Sequence, residues 1–278
     1  MRLLDGRAPA RAITDRLAKE VADLAAAGSV PTMAIVLVGD DPGAEWYARS
    51  LGRAAAAIGA EVRVERLAVE DGQARAVDLV GALGAAPGVH GILLQAPLPP
   101  GYDRAVLADL IPAGKDVDGS GSDSLGRLLL GRDGHRPATA AAVVALLDEH
   151  GIDVAGKRVV VVGRSPTVGK PAALLLLARD ATVTVCHSRT PDLAATTRAA
   201  DVLVVAVGRP RVVGAEHVAP GAVVVDVGIN EVDGGIVGDV DAEAVSGIAG
   251  ALTPVPGGVG PLTTAILLAH LVAATTGP

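Results

Sequence analysis

Four valines, Val159 to Val162, run directly into Gly163-Arg164-Ser165-Pro166-Thr167-Val168-Gly169-Lys170-Pro171, after which the chain turns apolar through Ala178. A buried strand that ends in a glycine turn and re-enters a helix aims free backbone N–H groups, and the positive end of the helix, at an anion. Gly163, Arg164, Ser165 and Gly169 are therefore candidates for holding a pyrophosphate. Their spacing departs from G-x-G-x-x-G, so the turn carries meaning only together with the strand before it and the helix after it. About 25 residues past Gly163 the next expected strand, Ala181 to Val185, ends in Cys186-His187-Ser188-Arg189-Thr190. An NAD site places an acidic residue there for the ribose hydroxyls. Hydroxyl and basic groups stand there instead, and Ser188 together with Arg164 suits a ribose carrying a 2′-phosphate, which favours NADP over NAD.

The elements around this turn alternate. Apolar and alanine positions recur at helical spacing from Ala8 to Ala27, and Gly28 ends the pattern. Strands are expected at Thr32–Val38, Glu61–Leu67 and His90–Leu94, with helices at about Gly43–Ile58 and Gly72–Leu83 between them. Gln95-Ala96-Pro97-Leu98-Pro99-Pro100 is a rigid exit from the third strand, and Gly119 to Ser124 reads as irregular. A helix at Thr139–His150 leads into the nucleotide lobe, whose later strands are Val202–Val207 and Ala222–Val227; a last helix spans about Leu262–Thr275. The fold class is α/β: two α/β lobes, the second a Rossmann-type dinucleotide-binding lobe. Such lobes leave a cleft that strand ends face, the usual place for a ligand.

Composition narrows the partners. Half of the 278 residues are hydrophobic, with no Phe, one Trp and two Tyr, so the core is built from Ala, Val, Leu and Ile. A formal charge of −7 argues against a nucleic-acid or anionic-membrane surface. Six scattered His and one Cys present no metal-ligand spacing. The lone Cys and the lack of a charged-then-apolar leader point to a reducing cytoplasm, and the run Pro171–Ala178 is too short to cross a bilayer.

Seven segments, in order, carry a resemblance: Gly91-Ile-Leu-Leu-Gln95-Ala-Pro-Leu-Pro99, Lys115-Asp116-Val117-Asp118-Gly119, Gly163-Arg164-Ser165, Cys186-His187-Ser188, Asp226-Val227-Gly228-Ile229-Asn230, Gly238-Asp239-Val240 and Thr253-Pro-Val-Pro-Gly-Gly-Val-Gly-Pro261. From about residue 30 to the C-terminus the chain resembles the methylenetetrahydrofolate dehydrogenase/cyclohydrolase family. The resemblance implies a cytoplasmic or organellar homodimer that oxidises methylenetetrahydrofolate with NADP or NAD and hydrolyses the methenyl product to formyltetrahydrofolate. It implies a folate domain over residues 1–138, an NADP-binding domain over 139–261, and a helix over 262–278 that packs back on the first. It makes Tyr47 the aromatic face against the folate, Gln95 a hydrogen-bonding group near the reacting carbon, Asp118 the carboxylate that holds the pterin, and Gly257, Gly258 and Pro261 the wall beneath it. Arg164, Ser165 and Ser188 would meet the NADP phosphates, and Gly208 with Ile229 would line the nicotinamide. Plainer readings exist for each: Tyr47 as lobe packing, Asp118 as a turn residue before Gly119, Arg164 as a solvated charge.

One departure matters most. The family places a lysine one helical turn after the tyrosine, so that amine and phenol share a face; Tyr47-Ala48-Arg49-Ser50-Leu51 has leucine there. Leu51 cannot donate, accept or carry charge, and a positioned acid or base is typically worth about 10² to 10⁴ in rate. Arg53 points to a different helix face. Smaller departures fall in the same half: Ala44, Ser120-Gly121, Pro137-Ala138-Thr139-Ala140 and His270-Leu271. The sequence therefore leads to an NADP-dependent methylenetetrahydrofolate dehydrogenase with cyclohydrolase activity weak or lost. The alternatives are a divergent paralog acting on a different folate or imine, and a non-catalytic homologue that binds NADP or folate.

Overall fold

The computed structural model describes residues 1–232 and 234–277. In chain order its elements are β1 (Arg2–Leu3), α1 (Arg7–Ala26), β2 (Thr32–Val38), α2 (Pro42–Ala57), β3 (Glu61–Leu67), α3 (Gly72–Ala85), β4 (Gly91–Leu94), α4 (Arg104–Asp109), α5 (Ser122–Leu129) and α6 (Ala138–Glu149). There follow β5 (Arg158–Val162), α7 (Gly169–Leu177), β6 (Thr182–Cys186), α8 (Leu193–Thr197), β7 (Val202–Val205), β8 (Val223–Asp226), β9 (Asn230–Val232), β10 (Gly235–Val237), α9 (Ala242–Val245), β11 (Ala251–Leu252) and α10 (Val259–Thr276). They form two compact units, one of residues 11–138 with residues from 264 onward, the other of residues 1–10 with 139–263.

In the first unit the parallel sheet runs β3-β2-β4. All seven residues of β2 are buried, as expected of a parallel strand covered on both faces. Because side chains alternate, Met33, Ile35 and Leu37 join a core with Leu17, Leu51 and Leu268, while Ala34, Val36 and Val38 join the opposite core with Val80, Leu94 and Leu107. Asp41 starts α2 by accepting the Ala44 N–H at 2.8 Å, with Pro42 in the first turn. The buried stripe of that helix is Ala44, Ala48, Leu51 and Ala55.

In the second unit the six-stranded sheet has the order β1-β11-β8-β7-β5-β6, parallel throughout. Strand β5 has β6 on one side and β7 on the other, so the chain changes direction of progress across the sheet there. The carboxyl end of such a strand is where open α/β sheets bind ligands.

Three expectations change. Residues 1–10, placed above with the first lobe, group with the second, because β1 pairs in parallel with β11 (Arg2 with Ala251, Leu3 with Leu252) and Gly6 N–H donates to the Gly257 carbonyl at 2.8 Å. The segment Gly119 to Ser124, expected to be irregular, contains the start of α5, and the stretch before it, assigned no element from the sequence, holds α4, which Asp103 caps through the Ala105 and Val106 N–H groups. Finally, α10 is an 18-residue helix of mean hydropathy 1.5, long and apolar enough to cross a membrane by those two measures, although its uninterrupted apolar runs are short. Burial accounts for this apolarity: Leu262, Leu267, Leu268 and Leu271 are almost wholly enclosed.

Candidate active site

Of the folate-side candidates, Tyr47, Leu51, Gln95 and Asp118 lie in the first unit, while Gly257, Gly258 and Pro261 lie in the second. An isolated parallel bridge pairs Ile92 of β4 with Asp116, and the chain then turns, the Gly119 N–H donating to the Asp116 carbonyl at 3.0 Å. The two acids of Lys115-Asp116-Val117-Asp118 then do different work. Asp116 is buried and accepts the Ser120 N–H (3.2 Å), the Gly121 N–H (2.9 Å) and the Ser124 hydroxyl (2.7 Å), which folds the loop. Lys115 donates to the Ala86 carbonyl at 2.7 Å. The Asp118 carboxyl meets the Arg104 guanidinium at 3.1 Å and also takes the Ser120 hydroxyl. Burial pushes the Asp118 carboxyl above the usual carboxylate range; Arg104 pulls it back, Asp116 pushes it up again, and the Ser120 hydroxyl pulls it down.

Tyr47 is half-buried against the α1–α2–α10 core. Its hydroxyl is pushed up to about 12, first by burial and then by the Asp118 charge, with the Thr264 side chain pulling the other way. Gln95 follows β4, is buried, and donates its amide N–H to the Ala96 carbonyl at 2.9 Å. Leu51 is 1 % exposed and belongs to the core beneath Tyr47. Arg53 is exposed, and Arg49 pairs with Glu45.

Arg104 was not among the residues picked out from the sequence. One of its nitrogens donates to the Leu94 carbonyl at 2.8 Å, and the other reaches Asp118 and, at 3.4 Å, the Ser120 hydroxyl. The signal that could have found it is a basic residue immediately after the capping Asp103 of a short helix, where a cation opposes the helix dipole and needs another reason to be present.

The nucleotide-side candidates lie in the second unit. Gly163 has φ +124°, and a Cβ there would sit 2.1 Å from the Ala206 carbonyl oxygen; a Cβ on Gly169 would sit 2.2 Å from the Gly163 carbonyl oxygen. The strand-to-helix turn is thus closed tightly enough that both positions demand glycine. The Ser165 hydroxyl accepts the Val168 (3.1 Å) and Gly169 (3.3 Å) N–H groups and so caps α7 itself, which leaves only its own O–H for a ligand. Val162 pairs with Cys186, so Arg164 and Ser188 each stand two residues beyond the same rung; both are exposed. Between them the His187 ring accepts the Arg189 N–H and the Thr190 hydroxyl accepts the His187 N–H, which shapes the turn.

A second buried acid pair, unrecognised in the sequence, builds the rest of this end. Asp239 accepts N–H groups from Val207 (2.6 Å), Gly208 (2.9 Å) and Arg209 (2.9 Å), and the Asn230 amide at 2.9 Å. Asp226 accepts those of Gly228, Asp239 and Val240, each at 2.9 Å; burial raises its carboxyl to about 6 against the pull of these three donors. A Cβ on Gly228 would lie 2.2 Å from Asp239, and one on Gly238 only 1.8 Å from Asp226. The two carboxylates therefore fix the loops carrying Gly208 and Ile229, and Ile229 projects 67 % exposed. Gly257 and Gly258 are buried and Pro261 partly so, the first two packing on Gly6 and Arg7 in this same unit.

Comparison with known proteins agrees with this division of labour. Residues 4–118 match the description tetrahydrofolate dehydrogenase/cyclohydrolase, catalytic domain, and residues 137–277 match tetrahydrofolate dehydrogenase/cyclohydrolase, NAD(P)-binding domain. The bifunctional protein FolD of Parafrankia sp. (strain EAN1pec) is 54% identical over 277 residues, covering 100% of both chains. Bifunctional protein FolD 1 of Saccharopolyspora erythraea is 52% identical over 270 residues, 97% of this chain and 92% of the relative. Among solved structures, the FolD dehydrogenase/cyclohydrolase of Campylobacter jejuni superposes with a TM-score of 0.96 at 40% identity, covering 99% of each chain. That of Trypanosoma brucei, complexed with NADP and an inhibitor, gives 0.93 at 38% identity over 99% of this chain and 97% of the other. By both domains and over its full length, the chain belongs to the tetrahydrofolate dehydrogenase/cyclohydrolase family.

Proposed function

We propose that this protein catalyses the NADP-dependent oxidation of methylenetetrahydrofolate to methenyltetrahydrofolate, and that its hydrolysis of the methenyl bridge is weak or lost. The observation that carries the second half is Leu51: an aliphatic, enclosed side chain on the face of α2 that carries Tyr47. Oxidation asks for alignment and a suitable field, because a C–H bond leaves with its electron pair and no proton moves. A flat pterin edged with donors suits the Tyr47 ring and the Asp118 carboxylate, with Gln95 near the one-carbon unit. Hydrolysis needs a base for the attacking water. Tyr47, pushed up to about 12, stays protonated at neutral pH; Gln95 has no basic atom; Asp118 is engaged by Arg104.

The second unit fits NADP. The turn Gly163–Gly169 and the amino end of α7 suit the pyrophosphate, Arg164 and Ser188 the 2′-phosphate, the Ser165 O–H a further phosphate oxygen, and Gly208 and Ile229 the nicotinamide. NADP, when bound, supplies the hydride acceptor. A homodimer is supported by β6, which ends its sheet with Thr182, Thr184 and Val185 exposed; light scattering at micromolar concentration tests it.

Purified protein mixed with methylenetetrahydrofolate and NADP is expected to accumulate the methenyl absorbance, which then decays slowly. Prompt decay to formyltetrahydrofolate would remove the proposed loss. Absence of turnover alongside tight NADP binding would assign the chain to another substrate or a non-catalytic role.

A further inference from the structure

Among the described residues, the group formed by Tyr47, Gln95 and Asp118 is touched by one basic side chain. Lys115 is tied to the Ala86 carbonyl, Arg49 and Arg66 to Glu45, and Arg53 faces solvent; Leu51 is aliphatic. Arg104 alone reaches in, and it spans two acceptors, the Leu94 carbonyl on β4 and the Asp118 carboxylate. The side chains of Arg104 and Asp118 are 28% and 22% exposed, so their contact is partly screened from water. Two further features suit this arrangement. The arginine sits in the first turn of α4, against the helix dipole, which makes an opposing anion its electrostatic reason for being there. The small pair Ser120-Gly121 leaves room beside it: Ser120 offers its hydroxyl to the guanidinium, and a Cβ on Gly121 would press to 3.0 Å from the Ala108 carbonyl oxygen of α4.

We propose that Arg104 is a positioning residue of the folate half-site: it holds Asp118 ionised and aimed, and thereby sets how tightly the pterin is gripped. The proposal rests on the reading of Asp118 as the pterin-binding group. A carboxylate taken out of water drifts toward its neutral form unless a cation faces it. Of the other groups facing Asp118, Asp116 on the same loop repels it, the Ser120 hydroxyl steadies the charged form, and the Tyr47 hydroxyl, uncharged at neutral pH, offers no compensating charge, so Arg104 is the one cation opposing burial. His270 and His135 meet the backbone of the loop, at the Val117 and Asp116 carbonyls, rather than the Asp118 carboxylate. Neutral Asp118 would present a hydroxyl to a ring edge that itself donates, and the grip would be lost. A guanidinium is suited to the task because it remains charged and its planar fork reaches both acceptors at once, which an ammonium does not.

The test follows the Asp118 carboxyl directly, by ¹³C NMR titration of aspartate-labelled protein with the resonance assigned from Asp118→Asn, alongside steady-state kinetics with methylenetetrahydrofolate. In Arg104→Gln the Asp118 midpoint is expected to rise by at least about one unit, tenfold in proton affinity. KM is expected to rise about tenfold at pH 6 and less at pH 8, with kcat nearly constant. Arg104→Lys should restore the midpoint but only part of the KM. An unchanged Asp118 midpoint in Arg104→Gln overturns the proposal, as does a pH-independent fall of kcat with KM unmoved, which would mark a merely structural arginine. A midpoint that shifts in a protein whose wild type does not turn over the folate supports the hold of Arg104 on Asp118 and removes the folate reading.

Discussion

Tyr47 and Leu51 stand one helical turn apart on α2, yet the phenol is half-buried within the field of Asp118 while the leucine is sealed into the core with Leu17, Ile35 and Leu268. The position one turn from the reactive-looking phenol thus contributes packing and no charge. Replacing Leu51 by Lys is expected to raise methenyl hydrolysis by about 10² or more, as a positioned base would. It should also cost stability, about 1 to 3 kcal/mol, because the amine must be desolvated or drawn to the surface along its stem. Decay of the methenyl absorbance and a urea melt read the two effects. Leu51→Met, which keeps the packing and adds no base, should leave hydrolysis unchanged; if the lysine variant is equally inert, the deficit resides elsewhere.

The level placement of Arg164 and Ser188 beyond the Val162–Cys186 rung makes a specific demand on cofactor choice. Arg164→Ala removes an exposed cation with no part in packing, so the fold should be untouched. A charge-assisted hydrogen bond is worth about 1.5 to 3 kcal/mol, so NADP affinity should fall roughly 10- to 100-fold while NAD affinity holds. Titrations with both cofactors at two salt concentrations check this. Equal losses for the two would show that Arg164 does not read the 2′-phosphate.

How much of this was visible in the sequence depends on how local the cause was. The strands β2 and β5 are legible because a run of buried branched residues between turn signals has few other uses, and Gly163 is legible because a glycine ending such a run has a backbone reason. The membership of residues 1–10 was hidden because β1 is two residues long and its partner β11 lies at the other end of the chain. The roles of Asp116 and Asp118 look interchangeable in Lys-Asp-Val-Asp-Gly; they are separated only by partners outside that motif, the Ser120 and Gly121 N–H groups with the Ser124 hydroxyl for Asp116 and the Arg104 guanidinium for Asp118. Asp226 and Asp239 were quoted as motif members with no part to play, since nothing local says that each closes the other's loop.

That mutual closure is itself testable. Asp239→Asn preserves shape but turns an amide donor either toward the Val207 and Gly208 N–H groups or toward the Arg209 N–H and the Asn230 amide, which the two carboxylate oxygens now satisfy. Leaving buried donors unmatched costs about 1 to 3 kcal/mol each, so the nucleotide-binding unit should lose about 3 kcal/mol and its NADP affinity should drop with it. Calorimetry with and without NADP separates the terms. A variant as stable as wild type would mean that these loops hold without the carboxylate.

His270 supplies a pH dependence with a definite sign. Its ring lies 4.6 Å from that of His135, stacked at 21°, and its Nδ1 is 2.8 Å from the Val117 carbonyl, which casts Nδ1–H as donor in a neutral ring. Burial pushes its pKa from 6.5 to about 4, the Val117 bond pulls back, and His135 adds to the depression. The unfolded chain therefore binds the proton more readily than the native one, so the stability of the first unit is full above pH 6.5 and is lost as pH falls from 6.5 toward 4. At about 1.4 kcal/mol per unit the loss approaches about 3 kcal/mol. Because Val117 sits between Asp116 and Asp118, the same protonation should loosen the acid-bearing loop. Trp46, the single tryptophan, is already more than half exposed on α2, so the unfolding is read by far-UV circular dichroism. Urea melts at pH 7, 6, 5 and 4 should show the decline in wild type and a flattened profile in His270→Asn, which keeps a donor for Val117 but cannot titrate. The same slope in both proteins would assign the acid sensitivity to other groups.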